Sequence, residues 1–345
     1  MKAAVIGATG YGGIELIRLL SNHPEFNLHS IYSSSKDQVP ASSEYPHLID
    51  ICPLPLTKIN EEQIIEEADV VFLAVPSGAS VGLSPNLLSN QTKVVDLSGD
   101  LRLKNPEDYK NWYKKDPATQ NVLDQAVYGL TEWSRDAVKE ATLLSNPGCY
   151  PTATLLGLAP AIQAEAIDAS QIIIDAKSGV SGAGRGLSQM IHFAEMNDNF
   201  SIYKVNQHQH IPEIEQQLSQ WSSMTGPITF STHLLPVTRG IMSTMYAPLK
   251  KKMTTKELHE LYQETYQDDY FVRVRPLGEF PSIKEVAGSN FCDIGVSVDE
   301  RTNRVTIVAV IDNLMKGAAG QAIQNANLMF GFEETAGLKG FPFYP

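Results

Sequence analysis

The chain has 345 residues, 43% of them hydrophobic, and a formal net charge of −12. That length exceeds one ordinary core and predicts two domains, while the charge disfavours nucleic acid and anionic membranes as partners and requires local cations for any anionic substrate. No apolar run is long enough to span a membrane, the apolar start is too short for a signal peptide, and three cysteines without C-x-x-C spacing indicate neither a disulfide framework nor a cysteine zinc site, so a cytoplasmic chain is expected.

Residues 2–6 read as a short apolar strand, Gly7-Ala8-Thr9-Gly10-Tyr11-Gly12-Gly13 as a glycine turn, and 14–20 as a helix. Strand, glycine loop and helix in this order make a dinucleotide-binding unit. Gly7 permits the tight turn, Gly10 lets a pyrophosphate approach the backbone, Gly13 allows close helix packing, and the helix N-terminus attracts phosphate. The spacing is G-x-x-G-x-x-G, and glycines alone are a weak signal; their place after the first strand gives them weight. The next strand, 28–32, ends in Ser33-Ser34-Ser35-Lys36, where an NAD site carries a carboxylate for the ribose hydroxyls. Hydroxyls and a cation suit a 2′-phosphate instead, which selects NADPH; a solvated serine-rich turn is the alternative.

Residues 69–75 and 93–97 read as buried parallel strands joined by a crossover at 78–88. Their following loops, 76–80 with Ser77 and 98–102 with Arg102, lie at carboxyl ends of strands, where ligands sit in such sheets.

Leu144-Ser145-Asn146-Pro147-Gly148-Cys149-Tyr150-Pro151-Thr152 puts a cysteine at a turn between an apolar run and a helical pattern that is expected to stop near Pro160. A helix N-terminus favours a thiolate and offers backbone N–H groups to a developing oxyanion. A buried structural cysteine is the alternative, but turn formers rather than a core stripe flank this one.

Beyond Pro160 longer strands follow at 172–176, 228–235, 290–298 and 304–311. The fold class predicted is therefore α/β: an N-terminal Rossmann-like doubly wound parallel sheet, then a second α+β domain with a mixed or antiparallel sheet. A last helix near 318–330 is expected to pack back on the first domain. The predicted division is 1–148 with 313–345 for NADP binding and 149–312 for catalysis, substrate and oligomerisation.

Three further segments carry chemistry. The stretch 177–186, with Ser181 and Gly182, is too glycine-rich for core and can approach a ligand through its backbone, unless it is simply a flexible loop. His208 and His210 stand just before a helix opened by Pro212, and a histidine there can donate and accept protons near neutral pH. Metal binding is the rival reading, but H-x-H lacks a third ligand and no metal site is expected. Arg102 and Arg239 lie in loops where a guanidinium could grip a phosphate or carboxylate, or else serve as surface charge.

Together Gly7–Gly13, the Ser145-Asn146-Pro147-Gly148-Cys149-Tyr150-Pro151-Thr152 segment, Lys177-Ser178-Gly179-Val180-Ser181-Gly182-Ala183-Gly184-Arg185, His208-Gln209-His210-Ile211-Pro212-Glu213-Ile214 and Asn313-Leu314-Met315-Lys316-Gly317-Ala318-Ala319-Gly320 resemble the N-acetyl-γ-glutamyl-phosphate reductases of arginine biosynthesis over essentially the whole chain. Ser77 stands where many members carry histidine. The resemblance implies a cysteine-thioester mechanism: Cys149 attacks the γ-acyl phosphate, phosphate leaves, and the thioester is reduced by NADPH to N-acetylglutamate 5-semialdehyde, with His210 as acid/base. It implies Asn146, Arg102, Ser145, His208 and Arg239 on the substrate side. On the cofactor side it implies Gly7, Thr9, Gly10, Tyr11, Gly12, Gly13, Ser33, Ser34, Ser35, Lys36, Ser77, Ser181, Gly182, Asn313 and Lys316. A dimer or tetramer acting on a small-molecule acyl phosphate is expected. The alternatives are an aspartate-semialdehyde dehydrogenase-like reductase, whose cysteine sits in a Gly-Asn-Cys-Thr context, and a non-redox cysteine hydrolase or acyltransferase, which would have no use for the glycine loop.

Overall fold

The structure is a computed structural model that describes residues 1–88 and 92–344. The chain divides into two compact units, one of residues 1–148 with 318–339 and one of residues 149–317 with the last residues from Gly340 on.

The first unit is built on β1 (Lys2–Ile6), β2 (Asn27–Tyr32), β3 (Val39–Pro40), β4 (Pro55–Thr57), β5 (Val70–Leu73), β6 (Lys93–Asp96), β7 (Val127–Tyr128) and β8 (Leu143–Ser145), in the order β3-β4-β2-β1-β5-β6-β8-β7. Among the described residues only the edge pair β3/β4 is antiparallel in this sheet. β1, β5 and β8 are almost wholly buried and largely apolar, and β6 buries Val94, Val95 and Asp96, as a parallel sheet covered on both faces requires. The winding reverses between β1 and β5, so the loop that leaves β1 lies at a topological switch point. One face packs Ile6, Val71, Leu73 and Val94 against Ile64, Leu87 and Leu123. Towards the other, the helices Tyr11–Leu20 and Gly320–Met329 pack on each other, and Phe26 meets Phe72, Phe330 and Phe332 edge-on.

The second unit carries β9 (Ile173–Gly179), β10 (Ser201–Tyr203), β11 (Thr229–Leu235), β12 (Ile241–Pro248), β13 (Val272–Val274), β14 (Cys292–Asp299) and β15 (Arg304–Ile311), in the order β10-β11-β9-β12-β15-β14-β13. Pairs β9/β11 and β13/β14 are parallel and the rest antiparallel, so the sheet is mixed. Helix Cys149–Gln163 packs on β12 and β15 and against the helices Ile211–Trp221 and Thr255–Tyr266. Every residue from Tyr150 to Ile162 is buried, so this helix is apolar all round because it lies in the middle of the core.

Two expectations are corrected. The helix does not stop at Pro160 but runs through it to Gln163. A proline there cannot donate to the carbonyl four residues back, and the Tyr266 hydroxyl donates to that Leu156 oxygen at 2.5 Å instead, beside Tyr262, whose hydroxyl donates to Gly157 O at 2.6 Å. The C-terminal segment is also divided: 318–339 belong with the first unit, whereas 313–317 and the residues from Gly340 on belong with the second. Phe343 N donates to Ala287 O at 2.7 Å and its ring lies against Gly288, which ties the tail to that unit. Pro345 lies outside the described residues.

Among the described residues no helix is long and apolar enough to cross a membrane.

Candidate active site

In the first unit the glycine loop is shaped by contact. Gly7 has φ +89°, and a Cβ on it would lie 2.2 Å from Ala74 O; one on Gly13 would lie 2.3 Å from Gly7 O. Gly7 and Ala8 donate their N–H groups to Tyr32 O at 3.0 and 3.1 Å, and Tyr45 holds the loop by donating its hydroxyl to Thr9 O at 2.9 Å. The helix Tyr11–Leu20 opens on Gly10 with no side-chain cap and no acidic residue in its first turn, and a Cβ on Gly10 or Gly12 would meet nothing closer than 3.5 Å. An uncapped helix N-terminus approached over bare glycine is what a pyrophosphate requires, so these residues fit a dinucleotide.

After β2, Ser33 is buried, donates its N–H to Thr57 O at 2.9 Å and accepts at Oγ from Ser35 N at 3.3 Å. Ser34 and Ser35 are exposed, and Lys36 lies 3.4 Å from Glu44. Ser33 thus shapes the turn, while the next two hydroxyls are the ones a ligand can reach.

The loops after β5 and β6 are tied together by buried carboxylates. Asp100 accepts from Gly78 N at 2.7 Å, Ser80 N at 3.1 Å and the Tyr109 hydroxyl at 2.6 Å. Ser80 Oγ lies 2.8 Å from Ser98 Oγ and 3.0 Å from both Asp96 Oδ2 and Asp100 Oδ2. Asp96 is wholly buried, and burial, then the neighbouring Asp100 charge, pushes its carboxyl up to about 6. Ser77, half-buried in the first of these loops, has its carbonyl held by the Lys115 ammonium.

Arg102 and Asn146 meet, but as scaffold. Arg102 Nε donates to Asn146 O and Nη2 to Leu97 O, both at 2.9 Å. Asn146 donates from Nδ2 to Ala318 O at 3.1 Å and accepts at Oδ1 from Asn325 Nδ2 at 3.2 Å, while Asn325 also donates to Gly129 O and accepts from Thr131. Ser145 Oγ is buried with no hydrogen-bond partner among the described residues.

In the second unit Cys149 is the first residue of its helix and is half-buried. The next residue, Tyr150, packs edge-on against His208 at 5.3 Å and against His210 at 6.0 Å between centroids, which brings the histidine corner beside the head of the cysteine helix. His208 is enclosed by Tyr150, Tyr203 and Phe230. Burial, with a contribution from Lys204, lowers His208 to about 3, so it is neutral, and its Nδ1 accepts from His210 N at 3.2 Å. His208 is therefore spent on holding His210 in place at the N-cap of helix Ile211–Trp221. Tyr150 and Tyr203 were not anticipated from sequence. Their hydroxyls lie 3.0 Å apart, and burial first, with the Cys149 charge among the further causes, raises both, Tyr203 to about 12.

Asn313 links two other segments of this unit, accepting from Gly240 N at 2.8 Å and donating to Ser181 Oγ at 2.9 Å, with Gly182 exposed beside it. Arg239 Nη1 lies 3.4 Å from the buried Asp312 carboxylate. Lys316, expected on the cofactor side, lies in the π-helical turn Met315–Ala319 and is fully buried, its ammonium 5.6 Å from the centre of the Phe271 ring. Among the described residues no group of three or more His, Cys, Asp or Glu could hold a metal ion.

The chain matches two family models, the NAD binding domain of semialdehyde dehydrogenases at residues 2–141 and their dimerisation domain at 149–313. It is 58% identical to a protein of Bacillus cytotoxicus and 57% identical to one of Geobacillus sp., each over the full length of both chains, and both are named N-acetyl-gamma-glutamyl-phosphate reductase. Among solved structures it resembles aspartate semialdehyde dehydrogenase II of Vibrio cholerae with a TM-score of 0.72 at 15% identity, covering 96% of this chain and 98% of that one. It also resembles the Candida albicans aspartate semialdehyde dehydrogenase crystallised with NADP, with a TM-score of 0.68 at 16% identity, covering 95% and 98%. At these identities the structures bear on the fold alone.

Proposed function

The chain belongs to the N-acetyl-gamma-glutamyl-phosphate reductase family, a phosphorylating branch of the semialdehyde dehydrogenases, and from that premise we propose that it reduces N-acetyl-γ-glutamyl phosphate to N-acetylglutamate 5-semialdehyde and phosphate through a thioester on Cys149. The observation that carries this reading is Cys149 at the head of a fully buried helix, next to a histidine corner in which one imidazole is neutral and the other is held at a helix start.

The thiolate of Cys149 attacks the γ-carbonyl carbon, the acyl–oxygen bond to phosphate breaks, and a thioester results. A thioester keeps the carbonyl electrophilic enough to be reduced, which a serine ester would not. NADPH, when bound, supplies the hydride for that reduction. His210 takes the thiol proton before attack, donates it to the oxyanion of the thiohemiacetal, and withdraws it as the carbon–sulfur bond breaks and the aldehyde leaves. His208 orients His210. Gly7, Thr9, Gly10, Tyr11, Gly12 and Gly13 would hold the pyrophosphate, Ser34 and Ser35 with Lys36 the 2′-phosphate, and Ser77 the nicotinamide, while Ser181, Gly182 and Asn313 are cofactor residues by the family resemblance. Ser145 would be a substrate-side residue by the family resemblance, and its buried hydroxyl without a partner among the described residues supports that reading, while Arg102 and Asn146 fix the turn that carries it. The match to a dimerisation domain supports a homo-oligomer, dimer or tetramer, and the reductive direction suits the NADPH-rich cytoplasm.

Purified protein given N-acetylglutamate 5-semialdehyde, phosphate and NADP⁺ should form NADPH, prefer that aldehyde to aspartate semialdehyde, and lose turnover on Cys149→Ser. Equal or better use of aspartate semialdehyde would move the substrate assignment to the shorter acyl chain.

A further inference from the structure

After Ile311 the chain leaves the second sheet through a turn organised by one buried carboxylate. Asp312 Oδ1 accepts from Leu314 N at 2.8 Å and Met315 N at 3.1 Å. Its Oδ2 accepts from Gly288 N at 2.7 Å and faces Arg239 Nη1 at 3.4 Å, and its backbone oxygen accepts from Gly317 N at 3.0 Å. That last bond spans five residues and belongs to a π-helical turn, Met315–Ala319, a local geometry that recurs at functional sites.

The turn brings Gly317 against the nucleophile. A Cβ on Gly317 would lie 2.9 Å from Cys149 Cβ, 3.2 Å from Cys149 Cα and 3.2 Å from Ile311 Cδ1. Gly317 has no left-handed φ, so space alone, and not backbone conformation, calls for glycine there. Cys149 has little room to yield, because Tyr150 is locked to Tyr203 and the whole helix behind it is buried.

We infer that Gly317 is a positioning residue for Cys149. Its bare backbone is the wall on which the cysteine Cβ rests, and so it fixes the direction of the thiol, while Asp312 with Arg239 fixes the wall. This gives Arg239 a role in the geometry of the nucleophile rather than on substrate. The inference rests on the reading of Cys149 as nucleophile.

The test uses the full chain and the Gly317→Ala variant. Restoring ordinary contact, 3.4 Å or more, requires the two Cβ atoms to separate by about 0.5 Å, and misplacement on that scale is expected to lower kcat by roughly tenfold or more. NADP⁺ affinity should stay within about twofold, since the glycine loop is untouched. The rate at which iodoacetamide labels Cys149, followed by peptide mass spectrometry across pH, should change several-fold, a readout that loss of global stability alone would not give. Labelling and kcat both within twofold of wild type would overturn the inference. If Gly317→Ala fails to fold, Asp312→Asn, which loosens the turn, takes its place: altered Cys149 labelling supports the inference and unchanged labelling overturns it. In a separate arm, wild type labelled at Cys149 should be inactive; turnover by the labelled enzyme would defeat the nucleophile reading itself, whatever Gly317→Ala does.

Discussion

Replacing Asp96 by asparagine should stabilise the protein at neutral pH and weaken it slightly in acid. Asp96 is wholly buried, and its carboxyl is raised from 3.8 to about 6, first by burial and then by Asp100. A carboxyl raised on folding binds its proton more tightly in the native state, so ionising it costs stability as pH rises from about 4 to about 6, and the full cost stands above that window. Roughly two units at about 1.4 kcal/mol each give about 3 kcal/mol, with no discount for solvent exposure. Asparagine resembles the protonated acid: Oδ1 still accepts from Ser98 N, at 2.9 Å in the native protein, and the amide can donate to Ser80 Oγ. The bond from Ser98 Oγ to Asp96 Oδ2 is lost, which subtracts about 1 kcal/mol at every pH. Urea unfolding of both proteins across this range should therefore show Asp96→Asn ahead by about 1–2 kcal/mol near neutrality and behind by about 1 kcal/mol near pH 4. A difference between the two proteins that does not vary with pH would refute the argument.

Three further outcomes follow from single contacts. Tyr266→Phe leaves Leu156 O, already deprived of its helical donor by Pro160, without the hydroxyl, and should cost about 1–3 kcal/mol in the same unfolding assay; a loss within error would mean the carbonyl finds another donor. Ser34→Asp puts a carboxylate on the exposed side of the turn after β2 and should weaken NADPH about tenfold while hardly affecting NADH, measured as two dissociation constants; equal weakening of both would remove the 2′-phosphate from this turn. His210→Asn should lower kcat by about 10² to 10⁴ and remove the histidine limb of the pH profile, whereas His208→Asn, which keeps a side-chain acceptor for His210 N, should be milder; the reverse order would exchange the two roles.

Sequence reading was strongest where one residue carries one steric or chemical demand. Gly7 and Gly13 could be assigned from spacing because a methyl at either meets a backbone oxygen, and Cys149 could be found because turn formers mark a helix start. It was weakest where distant residues satisfy each other. Pro160 reads as a helix stop until Tyr266, more than a hundred residues later, supplies the missing donor. β12 was overlooked because its alternation includes a buried Ser243 and it runs between a Gly-containing turn and Pro248, yet it pairs with both β9 and β15. Nothing in the order of residues 313–320 marks Lys316 as buried; the π-helical turn Met315–Ala319 places it inside the second unit. The polar helix Gly320–Met329 buries Gln324 and Asn325 because their amides bind elements far away in sequence, Gln324 at Glu132 and Asn325 at Gly129, Thr131 and Asn146.

The central claim is that Cys149 carries the acyl group. Full-length protein mixed rapidly with N-acetylglutamate 5-semialdehyde and NADP⁺, with phosphate withheld, can oxidise the aldehyde to the thioester but cannot release it. The account predicts a burst of about one NADPH per subunit, followed by a near-standstill that added phosphate relieves, together with an N-acetylglutamyl adduct on the Cys149 peptide. Absence of the burst, an adduct on another residue, or the same burst from Cys149→Ser would contradict it.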